Sequence, residues 1–340
     1  MASVTANTTT DTTLNDLWHT GRPDFSKNFI ESWSTTPSFF RDIYRRCAKK
    51  TSNPTGRAYE WNVELGTPTG ITRRAFDTAP AVTGQTPNLN VGARQDIATY
   101  EYLLEMTHDR FNLIKGQGSK VLVNTVEQLV KNAGKSVRDV INKDMIQQTT
   151  SQTDGVISII ASLAATPTTG TIHNINRATY SDWRNTTTTT GGAFATVGYN
   201  QLRSTFLAGS KGDGDEEADL IVSDDAIFNA WWALNDSRDN FWLDEDEEGK
   251  TVRRALKFLN AKWCWDHAYA NATTIRGVCS KHIEMNVIGE AGKDDDKMGV
   301  TLGDWATAYN ADKSAAMIKW QGALKFFAFK YCWQISGLTA

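Results

Sequence analysis

Cysteine, proline and long apolar runs are scarce in this 340-residue sequence, which holds four cysteines and seven prolines. Cys47, Cys264, Cys279 and Cys332 lie far apart, with no C-x-x-C and no histidine at finger spacing. That spacing fits neither a zinc site nor a disulfide framework, and it predicts reduced, buried thiols acting as small hydrophobes. The longest apolar stretch, Gly155 to Ala165, is interrupted by two serines. It falls short of the ~20 residues a membrane span requires, so no membrane partner is expected. The opening residues Met1-Ala-Ser-Val-Thr-Ala-Asn-Thr-Thr-Thr carry neither the charged start nor the apolar core of a signal peptide. The chain therefore reads as soluble and unexported. A cationic surplus is missing as well, the formal net charge being -3. Residues 1–150 hold 18 lysines and arginines against 15 carboxylates, and residues 154–266 hold 10 against 17. A duplex-binding protein would show a basic stripe, and neither region has one.

Threonine and tryptophan are abundant instead, at 41 and 12 residues. The tryptophans fit either a Trp-rich core or large buried interfaces, where Trp and Tyr are enriched. Hydrophobic residues make up 40% at a mean hydropathy of -0.43, enough to bury a core. The composition excludes collagen-like, coiled-coil and disulfide-scaffold classes. The length predicts two domains, or one large domain with extensions.

Residues 1–15 are rich in Thr and Asn and are expected to be loosely ordered. From Leu17 to Arg46 aromatics return (Trp18, Phe25, Phe29, Trp33, Phe39, Phe40, Tyr44) without a sustained period, broken by Pro23 and Pro37. Such an arm is expected to lie against another surface. Tyr59 to Leu65 then alternates strictly, apolar at 59, 61, 63 and 65, which predicts a half-buried strand. Thr99 to Met106 alternates again, apolar at 100, 102, 104 and 106. Between them lie Gly/Pro/Thr-rich residues without a period, too many for an ordinary connection. Folded as a hairpin, residues 58–106 would have arms reaching roughly 70–80 Å. A compact chain of this length has a radius of gyration of only about 20 Å. Either the hairpin projects onto a neighbour or it folds back as a surface loop.

Ser119 opens the clearest helix. Leu122, Val126, Leu129, Val130, Ala133, Val137, Val140, Ile141 and Met145 form one apolar stripe, roughly 40 Å long. Its other face carries Lys120, Lys131, Lys135, Arg138 and Lys143, read as solvated rather than phosphate-facing. Residues 154–266 read as an α/β-type unit: a helix at Tyr199–Ala208, a short buried strand at Asp219–Ser223 and a helix at Asp225–Leu234. Acidic loops, Asp213 to Asp219 and Asp244 to Glu248, flank these elements. Near the C-terminus Phe327, Phe329, Tyr331, Trp333 and Ile335 share one face of a predicted strand. The other face is also largely apolar, which places that strand centrally in its sheet.

Chemical motifs fail on inspection. Gly116-Gln-Gly-Ser-Lys120 lacks phosphate-loop spacing and follows no buried strand. Asp244-Glu-Asp-Glu-Glu248-Gly249 starts like a calcium loop but places Ala255 where the bidentate Glu belongs. His19, His108, His173, His267 and His282 are dispersed, with no H-E-x-x-H, no G-x-S-x-G and no Cys–His pair. Asp224 and Asp225 read as a helix cap. No catalytic, cofactor-binding or metal-binding residue is assigned, no cofactor is expected, and the chain reads as a non-enzyme.

One stretch carries a family resemblance. Ile175-Asn176-Arg177-Ala178-Thr179-Tyr180-Ser181-Asp182-Trp183-Arg184-Asn185 is followed by Val197 to Arg203 and by Asp219 to Ser223. With the order arm, long hairpin, long helix, α/β middle and returning strands, this resembles the major capsid protein of tailed bacteriophages, the Hong Kong ninety-seven fold. The resemblance covers roughly residues 57–340. It implies an α+β fold with an N-terminal arm (1–56), an extended E-loop (57–106), a peripheral domain built on a long spine helix (107–153 and 266–340) and an axial domain (154–265). It further implies a structural protein that self-assembles into hexamers and pentamers of an icosahedral or prolate head. That head would enclose double-stranded DNA contacted non-specifically. Portal, scaffold or decoration proteins are the further partners implied, with assembly in the host bacterial cytoplasm and residence in the virion. An encapsulin-like compartment and, more distantly, a soluble enzyme are the alternatives. The chain departs from the prototype in lacking a long, charged N-terminal scaffolding region. In that prototype a lysine of the E-loop also bonds covalently to an asparagine of a neighbour. Residues 57–106 here contain Arg57, Arg73, Arg74 and Arg94 but no lysine, so shells without that link are expected.

Overall fold

The computed structural model describes residues 18, 29, 39–52, 56–66, 89–116, 119–147, 155–211, 216–236, 256–266, 268–269, 273–288, 300–307 and 312–339. The expectations for residues 1–15, for the far part of the hairpin with Arg73 and Arg74, for the loop at 244–248 and for His19 and His267 lie outside them.

Helix α1 (Phe39–Arg46) has Asp42 in its first turn and Arg45 and Arg46 in its last, the charge order a helix dipole favours. Strands β1 (Ala48–Thr51), β2 (Ala58–Leu65), β3 (Leu89–Asp96) and β4 (Ala98–Thr107) follow, then helices α2 (His108–Gly116) and α3 (Ser119–Ile146). After a helical turn at Ile159–Ser162 come β5 (Thr171–Ile172), β6 (Ile175–Asn176), β7 (Thr186–Ala193), helix α4 (Tyr199–Ala208), β8 (Leu220–Ser223) and helix α5 (Asp225–Asp236). The rest is β9 (Leu256–Phe258), β10 (Ala261–Trp265), β11 (Thr274–Val278), β12 (Ile283–Val287), β13 (Val300–Leu302), β14 (Ala306–Thr307), β15 (Lys313–Phe326) and β16 (Trp333–Thr339).

The chain divides into two compact units, the first comprising residues 1–57, 96–161 and 284–324. Its sheet runs β1-β12-β15-β13, with β14 and β4 also pairing β15. Helix α3 packs on α1, α2 and β4. It buries seven of the nine stripe residues, from Leu122 to Met145. Val140 stands 47% exposed at the margin of the stripe. The Asn142 side chain accepts the Phe40 N–H at 2.9 Å, tying α1 to α3. The aromatic arm contributes Trp18 and Phe29, both wholly buried. Trp18 donates its indole N–H to the Gly303 carbonyl at 2.9 Å and meets Trp305 edge-on at 5.8 Å. These two arm residues are thus buried within their own chain.

The second unit comprises residues 58–95, 162–283 and 325–340. Its sheet runs β7-β16-β11-β8-β10-β9. The β7–β16 and β8–β10 pairs are parallel and the rest antiparallel. Strands β8 and β11 are buried at every position. Gly277 lies opposite Trp333 in the β11–β16 register. A Cβ there would come within 2.1 Å of the indole, so only glycine leaves room for that ring. Seven of the ten described tryptophans are buried across the two units, so the core takes up most of the surplus.

Two sequence expectations change. The return strand of the hairpin is β3, which pairs with β2, whereas the alternating run 99–106 lies in β4 and pairs with β15. The C-terminal aromatic run is not one strand: residues 327–332 form a turn between β15 and β16. Phe329 and Tyr331 are buried within that turn, which extends the apolar alternation past the end of the strand. Strand β16 itself lies between β7 and β11, inside its sheet.

Candidate assembly elements

Alternation along β2 turns Tyr59, Trp61, Val63 and Leu65 inward and leaves Glu60, Asn62 and Glu64 exposed. The inward residues anchor the root of the hairpin. The Trp61 indole N–H donates to the Phe326 carbonyl at 3.2 Å. The buried Lys325 ammonium lies 5.0 Å from the Tyr59 ring centre and 5.5 Å from that of Trp61. Cations over aromatic faces gain more when water is excluded. Beside the root, Glu60, Trp61, Asn62, Gly92, Arg94 and Asn174 line a polar groove of about 450 Å³.

His173 and Asn174 form the two-residue turn joining β5 to β6, at φ 51° and 65°. Both lie in the left-handed region that a primed hairpin turn requires. The turn reaches the hairpin, because the Arg94 N–H donates to the His173 carbonyl at 3.0 Å. The His173 ring meets Trp61 edge-on at 4.9 Å and also contacts Phe326 and Trp183. Its Nδ1 lies 3.0 Å from the Gln95 side-chain oxygen, while Nε2 has no hydrogen-bond partner. Burial, opposed by a backbone contact with Arg94, holds the imidazole down at about 3.

The stretch that carries the resemblance is a set of backbone clamps. Arg177 is 2% exposed and donates to the Ser162 carbonyl, with its guanidinium 5.0 Å from the Phe329 ring. Burial lowers its pKa only to about 10, so it remains a cation at neutral pH. The Trp183 N–H donates to the Ile172 carbonyl at 3.2 Å. Arg184 donates to the carbonyls of Arg177 and Ala178, and Asn185 both accepts from and donates to the Ala164 backbone. These side chains bind main chain and hold the stretch in place.

The remaining singled-out residues fall apart in space. The Asp224 carboxylate caps α5 by accepting the Ile227 N–H at 3.0 Å. His108 pairs with Asp312 and His282 stacks on Tyr331. Gly116 ends α2 and Ser119 begins α3. All four cysteines are buried and none is in a disulfide, and burial raises the thiols of Cys47 and Cys279 to about 11. Among the described residues no three of His, Cys, Asp or Glu converge, and no helix is long and apolar enough to cross a membrane. Sequence reasoning missed β3 and His173. The only signal for β3 was Leu89, Val91 and Ala93 at alternate positions, broken up by Gly92.

In the first unit, the β4–β15 pair leaves one face open. Glu101, Leu103 and Glu105 stand exposed there. They face Lys319, Met317 and Ala315 across the strands. Glu101 pairs with Lys319 at 2.7 Å and Glu105 with Lys313 at 2.6 Å, and Leu103 between them is 50% exposed.

No family model and no curated protein matches the chain. Solved structures do. The Cyanophage A-1(L) capsid asymmetric unit superposes with a TM-score of 0.59 at 15% identity, covering 88% of this chain and 93% of that one. The holo-SrpI encapsulin complex from Synechococcus elongatus gives 0.56 at 9% identity, covering 89% and 88%. The capsid of a native GTA particle gives 0.55 at 8% identity, covering 90% and 92%. The chain therefore has the α+β Hong Kong ninety-seven-type fold found in shell subunits.

Proposed function

We propose that this chain is a major capsid protein: a structural subunit whose hexamers and pentamers close an icosahedral or prolate head around double-stranded DNA. The observation carrying this reading is a fold shared with capsid subunits over nearly the whole of both chains. In this reading residues 1–56 are the arm and the β2–β3 hairpin is the extended loop, β4 having joined the first unit's sheet. The rest of the first unit is the peripheral domain, and the rest of the second, with β11 and β16 in its sheet, is the axial domain. The head assembles in the host cytoplasm, with portal, scaffold or decoration proteins as further partners. The chain supplies contacts rather than catalysis. A near-neutral surface suits a container, since a strongly basic lining would immobilise packed DNA.

The hairpin supports the same reading. Its described strands form a sheet of only two strands, an element marginal on its own in water. A neighbouring subunit would cover it. Electron microscopy of the overexpressed chain is expected to show closed shells, and deleting Thr67 to Gly92 to leave a folded chain that forms none. Normal shells from the deletion would overturn the role given to the hairpin. Without a loop lysine, shells boiled in detergent and reductant are expected to release chains near 37.7 kDa.

The second reading, an encapsulin-like compartment, is favoured by the likeness to the Synechococcus elongatus shell. Purified particles containing cargo protein rather than DNA would establish it.

A further inference from the structure

We propose that His173 is the positioning residue of the hairpin and makes its seating proton-linked: the hairpin sits on a neutral imidazole, and acid loosens it. The geometry is a box. From the hairpin come Trp61, at 4.9 Å from the imidazole, and Gln95, at 3.0 Å from Nδ1. From the body of the second unit come Phe326 at 5.4 Å and Trp183 at 6.4 Å. The ring is 4% exposed, and Nε2 has no partner. A protonated ring would carry two N–H donors and a charge into this box. Cations and a carboxylate lie on the elements packed around it. Lys325 lies over the Tyr59 and Trp61 rings, and Arg177 over Phe329. The Arg94 and Glu60 side chains line the neighbouring groove, which Trp61 and Asn174 also border. The groups in contact with the imidazole itself are three aromatic rings and the Gln95 amide, and Glu60 is not among them.

The sign follows from linkage. Seated, the imidazole stays neutral down to about pH 3. Unseated, it regains its ordinary value near 6.5. The unseated form therefore binds the extra proton at pH values between these limits. Seating is at full strength above about pH 6.5 and weakens by up to about tenfold per unit below it. What the seated hairpin does for a shell rests on the assembly reading above. The linkage does not, so the two can fail separately.

The test is hydrogen exchange of the full chain in unassembled form between pH 7 and 4, with rates corrected for intrinsic pH dependence. Protection of residues 58–65 and 89–96 is expected to fall towards tenfold per unit below about pH 6.5, while β8 and β11 keep theirs. His173→Asn retains a residue tolerant of the left-handed turn, lacks the titrating ring, and is expected to flatten the profile. An NMR titration of the wild-type imidazole provides a second readout and should find it neutral at pH 5. Flat wild-type protection, an unchanged slope in His173→Asn, or an imidazole titrating near 6.5 in the folded chain would each overturn the proposal.

Discussion

Strands β4 and β15 of the first unit alternate buried and open positions over most of their length, whereas β8 and β11 of the second are buried throughout. The interior of the second unit is aromatic. Trp231 stacks on Trp263 at 5.1 Å, and Phe194, Phe206 and Phe258 close around them and Trp333. The open face of the first is held by Lys–Glu pairs around Leu103 and Met317. The difference separates two uses of a sheet. One is a sealed core, where a lost ring leaves a cavity. The other is half core and half surface, where a side chain can change with little cost to its own chain and still alter what that surface meets.

The largest effect should come from the sealed sheet. Trp263 donates its N–H to the Ser223 hydroxyl at 2.8 Å and is 1% exposed. Trp263→Ala is expected to cost about 3–5 kcal/mol in urea denaturation. A loss below about 1 kcal/mol would break the comparison by showing that the aromatic packing is loose. On the open face, Leu103→Ser should change the stability of the unassembled chain by no more than about 0.5 kcal/mol. It should nonetheless reduce the yield of closed shells counted by microscopy. Unchanged shell yield would mean the face meets only solvent. Glu101→Gln should cost less still at high salt. The exposed pair with Lys319 is worth under about 1 kcal/mol, and its contribution should vanish in ~1 M salt, where the screening length is about 3 Å.

The sequence made the regular elements of both units readable where one period ran unbroken. The stripe from Leu122 to Met145 marked α3, and Tyr59 to Leu65 marked β2. Legibility failed where burial and period parted. Phe329 and Tyr331 are buried in a turn, so their alternation imitated a strand. Trp18 and Phe29 are buried, yet the aromatics of the arm follow no period that could have announced it. His173 was one of five scattered histidines in the sequence. Its role arises from a left-handed turn that brings it against Trp61, far along the chain.

The opposition of Gly277 and Trp333 has a consequence for heredity. A methyl group at 277 and an indole at 333 cannot occupy the same space, so position 277 cannot gain a side chain while the ring stays. A lineage that acquires alanine at 277 must revert or give up the ring at 333, and second-site revertants of Gly277→Ala should gather at that one codon. The ring at 333 thus dictates the residue allowed at 277, 56 residues away along the gene product.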